Sequence, residues 1–226
     1  MTTSALTILK AWPRFPIDSY PVFLEASSSQ FSDATGGAGA FKHALRRFSG
    51  GARLIGYALP VWTAPGDNLA PYAALKVVQP GDVLVVASGS YTGCALLGDH
   101  IMGLLNNAKA AGMITDGLVR DIDGLRAINL PVYAAGTSPL IPTKQGPGTV
   151  GLPITLGSVV IHPGDLIIAD DDGIVIVPPA QFALVSEKLI ALRKKDSMLE
   201  QRIHSGATEP PDFEQLLDRV GVRWLT

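Results

Sequence analysis

The chain has 226 residues; at ~150 residues per domain, one large domain is favoured over two small ones. It is 47% hydrophobic and 17% charged, which excludes a disordered chain. Eighteen Lys and Arg against twenty Asp and Glu leave a net charge of −2, so no overall basic field exists to hold a nucleic-acid backbone or an acidic membrane. The single cysteine, Cys94, cannot close an intramolecular disulfide or seed a thiolate zinc site, and reads as a small buried residue. No apolar run approaches the ~18 residues of a membrane span, and the first nine residues lack the pattern of a secretory signal. A cytoplasmic protein is the expectation.

Residues 1–27 mix Pro13, Pro16 and Pro21 with Trp12, Phe15, Tyr20 and Phe23, which predicts an arm packed over something else in place of a regular element. Ser32 or Asp33 could cap a short helix, which Gly36-Gly37-Ala38-Gly39 would break. That glycine cluster follows no strand and completes no Gly-x-Gly-x-x-Gly, so it reads as a loop and not a dinucleotide site. From Arg53 to Leu59 and from Val83 to Ala87 short apolar runs predict buried strands, the second entered through Gln79-Pro-Gly-Asp82. Ile101, Leu104, Leu105 and Ala108 recur at helical spacing, and Gly112 is expected to close that helix. A strand near residues 113–115, a short helix over 121–127 and a strand over 130–135 follow. The Pro-Gly-Asp grammar returns at His162-Pro-Gly-Asp165 before Leu166-Ile-Ile-Ala169, and Ile174 to Val177 completes a hairpin. A long helix is predicted from about Ala180 to His204, with Phe182, Val185, Leu189, Leu192 and Leu199 on one stripe and Arg193-Lys194-Lys195 on a solvated face. Gly206 stops it. In the tail, Asp212 could cap a last short helix or lead an arm onto a neighbouring subunit. Strand, helix, strand, helix, strand implies at least one parallel crossover, flanked by antiparallel hairpins further along, hence an α/β fold with a mixed sheet.

The chemistry-bearing stretch is Gly98-Asp99 followed, twenty residues on, by Arg120-Asp121. Asp99 stands at the start of a helix, where unpaired N–H groups and the dipole attract an anion such as a small carboxylate. Arg120 offers a planar, two-pronged donor and Asp121 a hard oxygen ligand for Mg²⁺ or Mn²⁺. Spacing alone leaves a structural alternative open, in which Arg120 bridges Asp116 or Asp123 while Asp99 and Asp121 cap helices. Asp170-Asp171-Asp172-Gly173 reads as a hairpin turn and not a metal site. His43, His162 and His204 lack any ligand spacing.

Asp99-x20-Arg120-Asp121, together with Pro65-Gly-Asp-Asn68, Pro80-Gly-Asp-Val-Leu-Val85, Asp116-Gly-Leu-Val-Arg-Asp121 and the run Pro163 to Pro178, resembles the RraA-like family over about residues 30 to 206. Its catalytic members are class II pyruvate aldolases acting on 4-hydroxy-4-methyl-2-oxoglutarate and 4-carboxy-4-hydroxy-2-oxoadipate. The resemblance implies a single swivelling β/β/α domain over 28–206, flanked by the arm and a tail at 207–226, assembled as a homotrimer or hexamer with sites between protomers. It assigns Gly98, Asp99, His100 and Ile101 to the substrate loop, with Arg120 as the substrate-binding and enolate-stabilising residue and Asp121 as the metal ligand. Retro-aldol cleavage of a 4-hydroxy-2-oxo acid and decarboxylation of oxaloacetate would share one pyruvate enolate. Relatives often read Gly-Glu-Leu at the loop, so Asp99 and His100 depart from the pattern; His100 could move a proton or point to solvent. Asp196 and Glu200 are the nearest counterparts of a glutamate that a neighbouring protomer contributes in relatives. The same family resembles regulators that bind ribonuclease E without catalysis, which is the competing expectation.

Overall fold

The computed structural model describes residues 5–41 and 45–225; His43, residues 1–4 of the expected arm and Thr226 of the tail lie outside them. In chain order the strands are β1 (Leu6–Ile8), β2 (Arg46–Ser49), β3 (Leu54–Thr63), β4 (Asp82–Ala87), β5 (Ala95–Leu97), β6 (Gly112–Thr115), β7 (Leu118–Val119), β8 (Val132–Ala134), β9 (Gly136–Thr137), β10 (Gly148–Val150), β11 (Ile154–Leu156), β12 (Val159–Ile161), β13 (Leu166–Ala169) and β14 (Ile174–Val177). The helices are α1 (Pro21–Glu25), α2 (Ser28–Thr35), α3 (Leu69–Ala74), α4 (Asp99–Asn107), α5 (Ile122–Ile128), α6 (Phe182–His204) and α7 (Phe213–Val220).

Nine strands form one mixed sheet in the order β1-β10-β3-β4-β6-β8-β2, with β13 added beside β3 and β14 beside β13. β3, β4, β6 and β8 run parallel, joined in turn by three crossovers that carry α3, α4 and α5. The six residues of β4 are all buried because the sheet is covered on both faces. Alternation sorts them: Leu84 and Val86 face the core under α3, α4 and α5, whereas Val83, Val85 and Ala87 face a second core with the β11–β12 hairpin. A third core joins α1, α2 and α6 to the β13–β14 hairpin through Phe23, Phe31, Val175 and Phe182. The α/β class, the mixed sheet and the 23-residue helix α6 are therefore as expected.

The repeated Pro-Gly-Asp grammar has one physical meaning at two of its sites. Gly81 and Gly164 adopt φ of 84° and 88°, as the third residue of a type II turn requires. In each turn the aspartate accepts the N–H three residues back, Gln79 to Asp82 at 2.9 Å and His162 to Asp165 at 2.8 Å. Asp82 is fully buried and also takes a two-pronged bond from Arg14, both contacts 2.7 Å, which ties the N-terminal segment to the sheet.

Several expectations are corrected. The arm contains regular elements: β1 pairs in parallel with β10, and α1 buries Phe23. Ser27, not Ser32 or Asp33, caps α2 through a capping box with Gln30, and Gly36 ends that helix in the left-handed region. The strand from Arg53 to Leu59 continues through Pro60 to Thr63 because its first half pairs β13 and its second half pairs β10. Helix α4 stops at Asn107, and Gly112 instead opens β6, where an added Cβ would lie 2.7 Å from both Leu54 Cδ1 and the Pro131 carbonyl. Met102 takes the buried place assigned to Leu104, which is exposed.

Candidate active site

Strands of two or three residues create the site. β5, β7 and β9 form a small parallel sheet of their own, with Leu97 opposite Val119. Gly98-Asp99 leaves the carboxyl end of β5 and Arg120-Asp121 leaves the carboxyl end of β7, so a separation of twenty residues in sequence becomes adjacency in space. The Arg120 N–H donates to the Leu97 carbonyl at 3.0 Å and fixes the two exits together. This is the carboxyl-end placement at which parallel sheets present ligand-binding residues.

Two glycines seat the carboxylates. A Cβ on Gly98 would lie 2.4 Å from Asp121 Oδ2, and a Cβ on Gly124 in α5 would lie 2.4 Å from Asp99 Oδ2. Each acid is thus packed over the backbone of the element that carries the other. Asp121 holds φ of 57°, a conformation that costs a non-glycine residue about 1–3 kcal/mol and is retained where the surroundings dictate it. Asp121 stands at the N-cap position of α5 but its side chain makes no capping bond there, and Asp99 is the first residue of α4 after the N-cap Gly98, so neither carboxylate is spent on the capping bond that spacing left open. Arg120 does not bridge Asp116 or Asp123; its Nε lies 3.1 Å from Asp121 Oδ2, with both side chains partly exposed, at 34% and 42%. Asp116 is engaged elsewhere, accepting from the Ser88 and Ser90 N–H groups at 2.7 Å each, and Asp123 pairs with Arg126.

These residues line one cleft of about 210 Å³, with Gly98, Asp99, His100, Arg120 and Asp121 on its rim. Ile101 does not line it. The residue is 1% exposed and its side chain belongs to the core under α3, α4 and α5. The His100 ring is 88% exposed, with Nε2 3.9 Å from Asp99 Oδ1. The remaining wall comes from residues the sequence reading missed, Asn68, Tyr72, Ile141, Pro142 and Lys144 among them. Only Pro65-Gly-Asp-Asn68 carried a signal, as one of the stretches that support the family resemblance. Asp67 holds this wall: it accepts from the Gln145 N–H at 2.6 Å, the Leu69 N–H at 2.8 Å and the Thr143 hydroxyl at 2.8 Å. Burial pushes the Asp67 pKa up, but these donors outweigh it and hold the carboxyl below its ordinary value.

No group of three or more His, Cys, Asp or Glu side chains converges among the described residues, so this chain builds no closed metal cage there. Mg²⁺ asks for less, since it keeps several waters and takes one or two carboxylates beside substrate oxygens. Asp121, whose carboxylate accepts no backbone N–H among the described residues and sits over a glycine-sized gap, fits that demand. The Asp170–Asp172 run forms the β13–β14 turn as expected, and Cys94 is buried. Asp196 accepts from Gln30 Nε2 at 2.7 Å within its own chain, whereas the Glu200 carboxylate has no such partner among the described residues.

The family model RraA-like, described as Aldolase/RraA, matches residues 25–176. A protein of Halalkalibacterium halodurans provisionally named a 4-hydroxy-4-methyl-2-oxoglutarate aldolase is 33% identical over 187 residues, 83% of this chain and 89% of that protein. Among solved structures, Streptomyces coelicolor RraAS2, titled a member of the RNase ES inhibitor RraA family, is 26% identical with a TM-score of 0.74, covering 83% of this chain and 98% of its own. The RNA-processing inhibitor RraA from Thermus thermophilis is 29% identical with a TM-score of 0.64, over 68% and 93%. No helix among the described residues is long and apolar enough to cross a membrane.

Proposed function

Because the chain belongs to the RraA-like family, we propose that its cleft is the active site of a divalent-metal-dependent carbon–carbon lyase that cleaves a 4-hydroxy-2-oxo acid to pyruvate and also decarboxylates oxaloacetate. The observation that carries this reading is the union, at two paired strand ends, of one guanidinium and two carboxylates that accept no backbone N–H among the described residues. Arg120 has its Nε turned to Asp121, which leaves its terminal N–H groups to donate to the oxo-acid oxygen on which negative charge grows as the enolate forms. First-turn N–H groups of α4 receive the substrate carboxylate. Asp121 would hold Mg²⁺ or Mn²⁺, which when bound polarises the keto group. Asp99, the partly exposed carboxylate at the start of α4, is placed to accept a proton directly or through water. In a homotrimer or hexamer, Glu200 of the partner subunit is better suited than Asp196 of the partner subunit to complete the site, since Asp196 is engaged by Gln30.

Pyruvate release from oxaloacetate and from 4-hydroxy-4-methyl-2-oxoglutarate is expected with Mg²⁺ or Mn²⁺ and is expected to vanish in EDTA. Arg120→Ala is expected to lower kcat by about 10²–10³, the loss typical of removing one donor to a developing oxyanion. Activity that survives EDTA, or is equal in Arg120→Ala, overturns the lyase. The solved relatives titled RNA-processing inhibitors favour a second reading, a non-catalytic protein that binds a ribonuclease. A pull-down with ribonuclease E at micromolar concentration decides it.

A further inference from the structure

One side chain on the rim of the cleft has no use in the chemistry above and none in the fold. The His100 ring makes no hydrogen bond among the described residues, and α4 buries Ile101, Met102 and Leu105 in its place. Its one carboxylate neighbour within 4 Å among the described residues is Asp99. Consecutive residues of a helix ordinarily face apart, yet His100 Nε2 comes within 3.9 Å of Asp99 Oδ1. The gap is too long for a hydrogen bond and short enough for one water or a small ring rotation to close. Asp99 is turned for this contact: Oδ2 is the oxygen seated over Gly124, and Oδ1 is the one that faces His100. Exposure rises along the pair, from 31% of the Asp99 side chain to 88% of the imidazole. The two residues form a step from the cleft, which Arg120 and Asp121 also line, to bulk water.

We propose that His100 is a proton relay, which takes from Asp99 the proton that Asp99 accepts from the C4 hydroxyl of the substrate and passes it to solvent. The inference rests on the lyase reading and names the route by which the base of that reaction is emptied. As the C3–C4 bond breaks, its electron pair stays in the enolate, and the C4 hydroxyl, losing its proton to Asp99, becomes a carbonyl. Neutral imidazole accepts that proton at Nε2, which returns Asp99 to the carboxylate, and gives it up to water. Water protonates the enolate at C3, so no proton is gained or lost overall. Decarboxylation of oxaloacetate reaches the same enolate by losing CO₂ and removes no hydroxyl proton, so it bypasses the relay.

The test compares two reactions of one preparation, pyruvate release from 4-hydroxy-4-methyl-2-oxoglutarate and from oxaloacetate with Mg²⁺. His100→Ala is expected to lower the ratio of the first kcat to the second by about 10²-fold, the lower end of what a positioned acid–base group contributes. Imidazole added to the buffer is expected to restore most of that ratio, because the position is open to solvent. His100→Gln, which keeps polar contacts but relays no proton, is expected to stay as low as His100→Ala. A ratio unchanged in His100→Ala overturns the relay and leaves the lyase standing. So does a ratio that His100→Gln restores or that imidazole fails to raise, since either marks a contact in place of proton transfer. A wild type that cleaves neither acid removes the lyase reading and the relay with it.

Discussion

Aspartates border two cavities of this molecule, the cleft between the β5 and β7 exits and a depression beside the β13–β14 turn. At the turn, Asp170, Asp171 and Asp172 are consecutive, and the first two are spoken for. Asp170 accepts from the Ser28 N–H at 2.7 Å, the Ser28 hydroxyl at 2.5 Å and the Asp172 N–H at 3.1 Å, which anchors α2 to the hairpin. Asp171 pairs with Arg47 at 2.8 Å. At the cleft, Asp99 and Asp121 are far apart in sequence and accept no backbone N–H among the described residues; glycine-sized gaps seat them, and the one close side-chain donor is Arg120 Nε at Asp121. Density of acid in sequence is therefore a poor guide to chemistry. An aspartate whose lone pairs are filled by its own fold is structural, and one that is held by shape keeps them for a ligand.

The sharpest way to break this contrast is Gly98→Ala. The new Cβ would meet Asp121 Oδ2 at 2.4 Å, and a displacement of about 1 Å at such a group costs on the order of 10² in rate. Pyruvate release is expected to fall accordingly with little change in melting temperature; an active Gly98→Ala would show that the seat does not matter. Asp170→Ala is expected to do the reverse, lowering stability by about 1.5–3 kcal/mol, the scale of hydrogen bonds to a charged group, while the folded protein keeps its activity. Urea denaturation measures it, with Asp171→Asn at the exposed pair as a control expected within about 0.5 kcal/mol of wild type.

Asp67 gives the smallest effect and tests whether a structural aspartate can also serve the cleft. Its pKa is lower folded than the ordinary 3.8, so its stabilising contribution is fully present above the unfolded value and is lost as pH falls through the folded one. The stability advantage of wild type over Asp67→Asn should be constant from neutral pH down to about 5 and shrink below about 4. Melting curves across that range check it, and a gap that widens in acid contradicts the sign.

Much of the architecture was legible along the chain. The buried run of β4, the Pro-Gly-Asp turns, the apolar period of α6 and the alternation of strands with helices are local properties, set by which side chains must leave water and which backbone angles a glycine or proline allows. The residue types at Asp99, Arg120 and Asp121 likewise announced what chemistry they could do. Strands of two or three residues such as β5, β7 and β9 carry no period of their own and exist only because neighbours pair with them. Tertiary structure alone decided that Gly98 and Gly124 each seat the other segment's acid, that Ile101 turns to the core, and that Lys144 lies over Tyr72. Those outcomes depend on contacts between residues distant in the chain, where closing the loop costs entropy that only the assembled core repays.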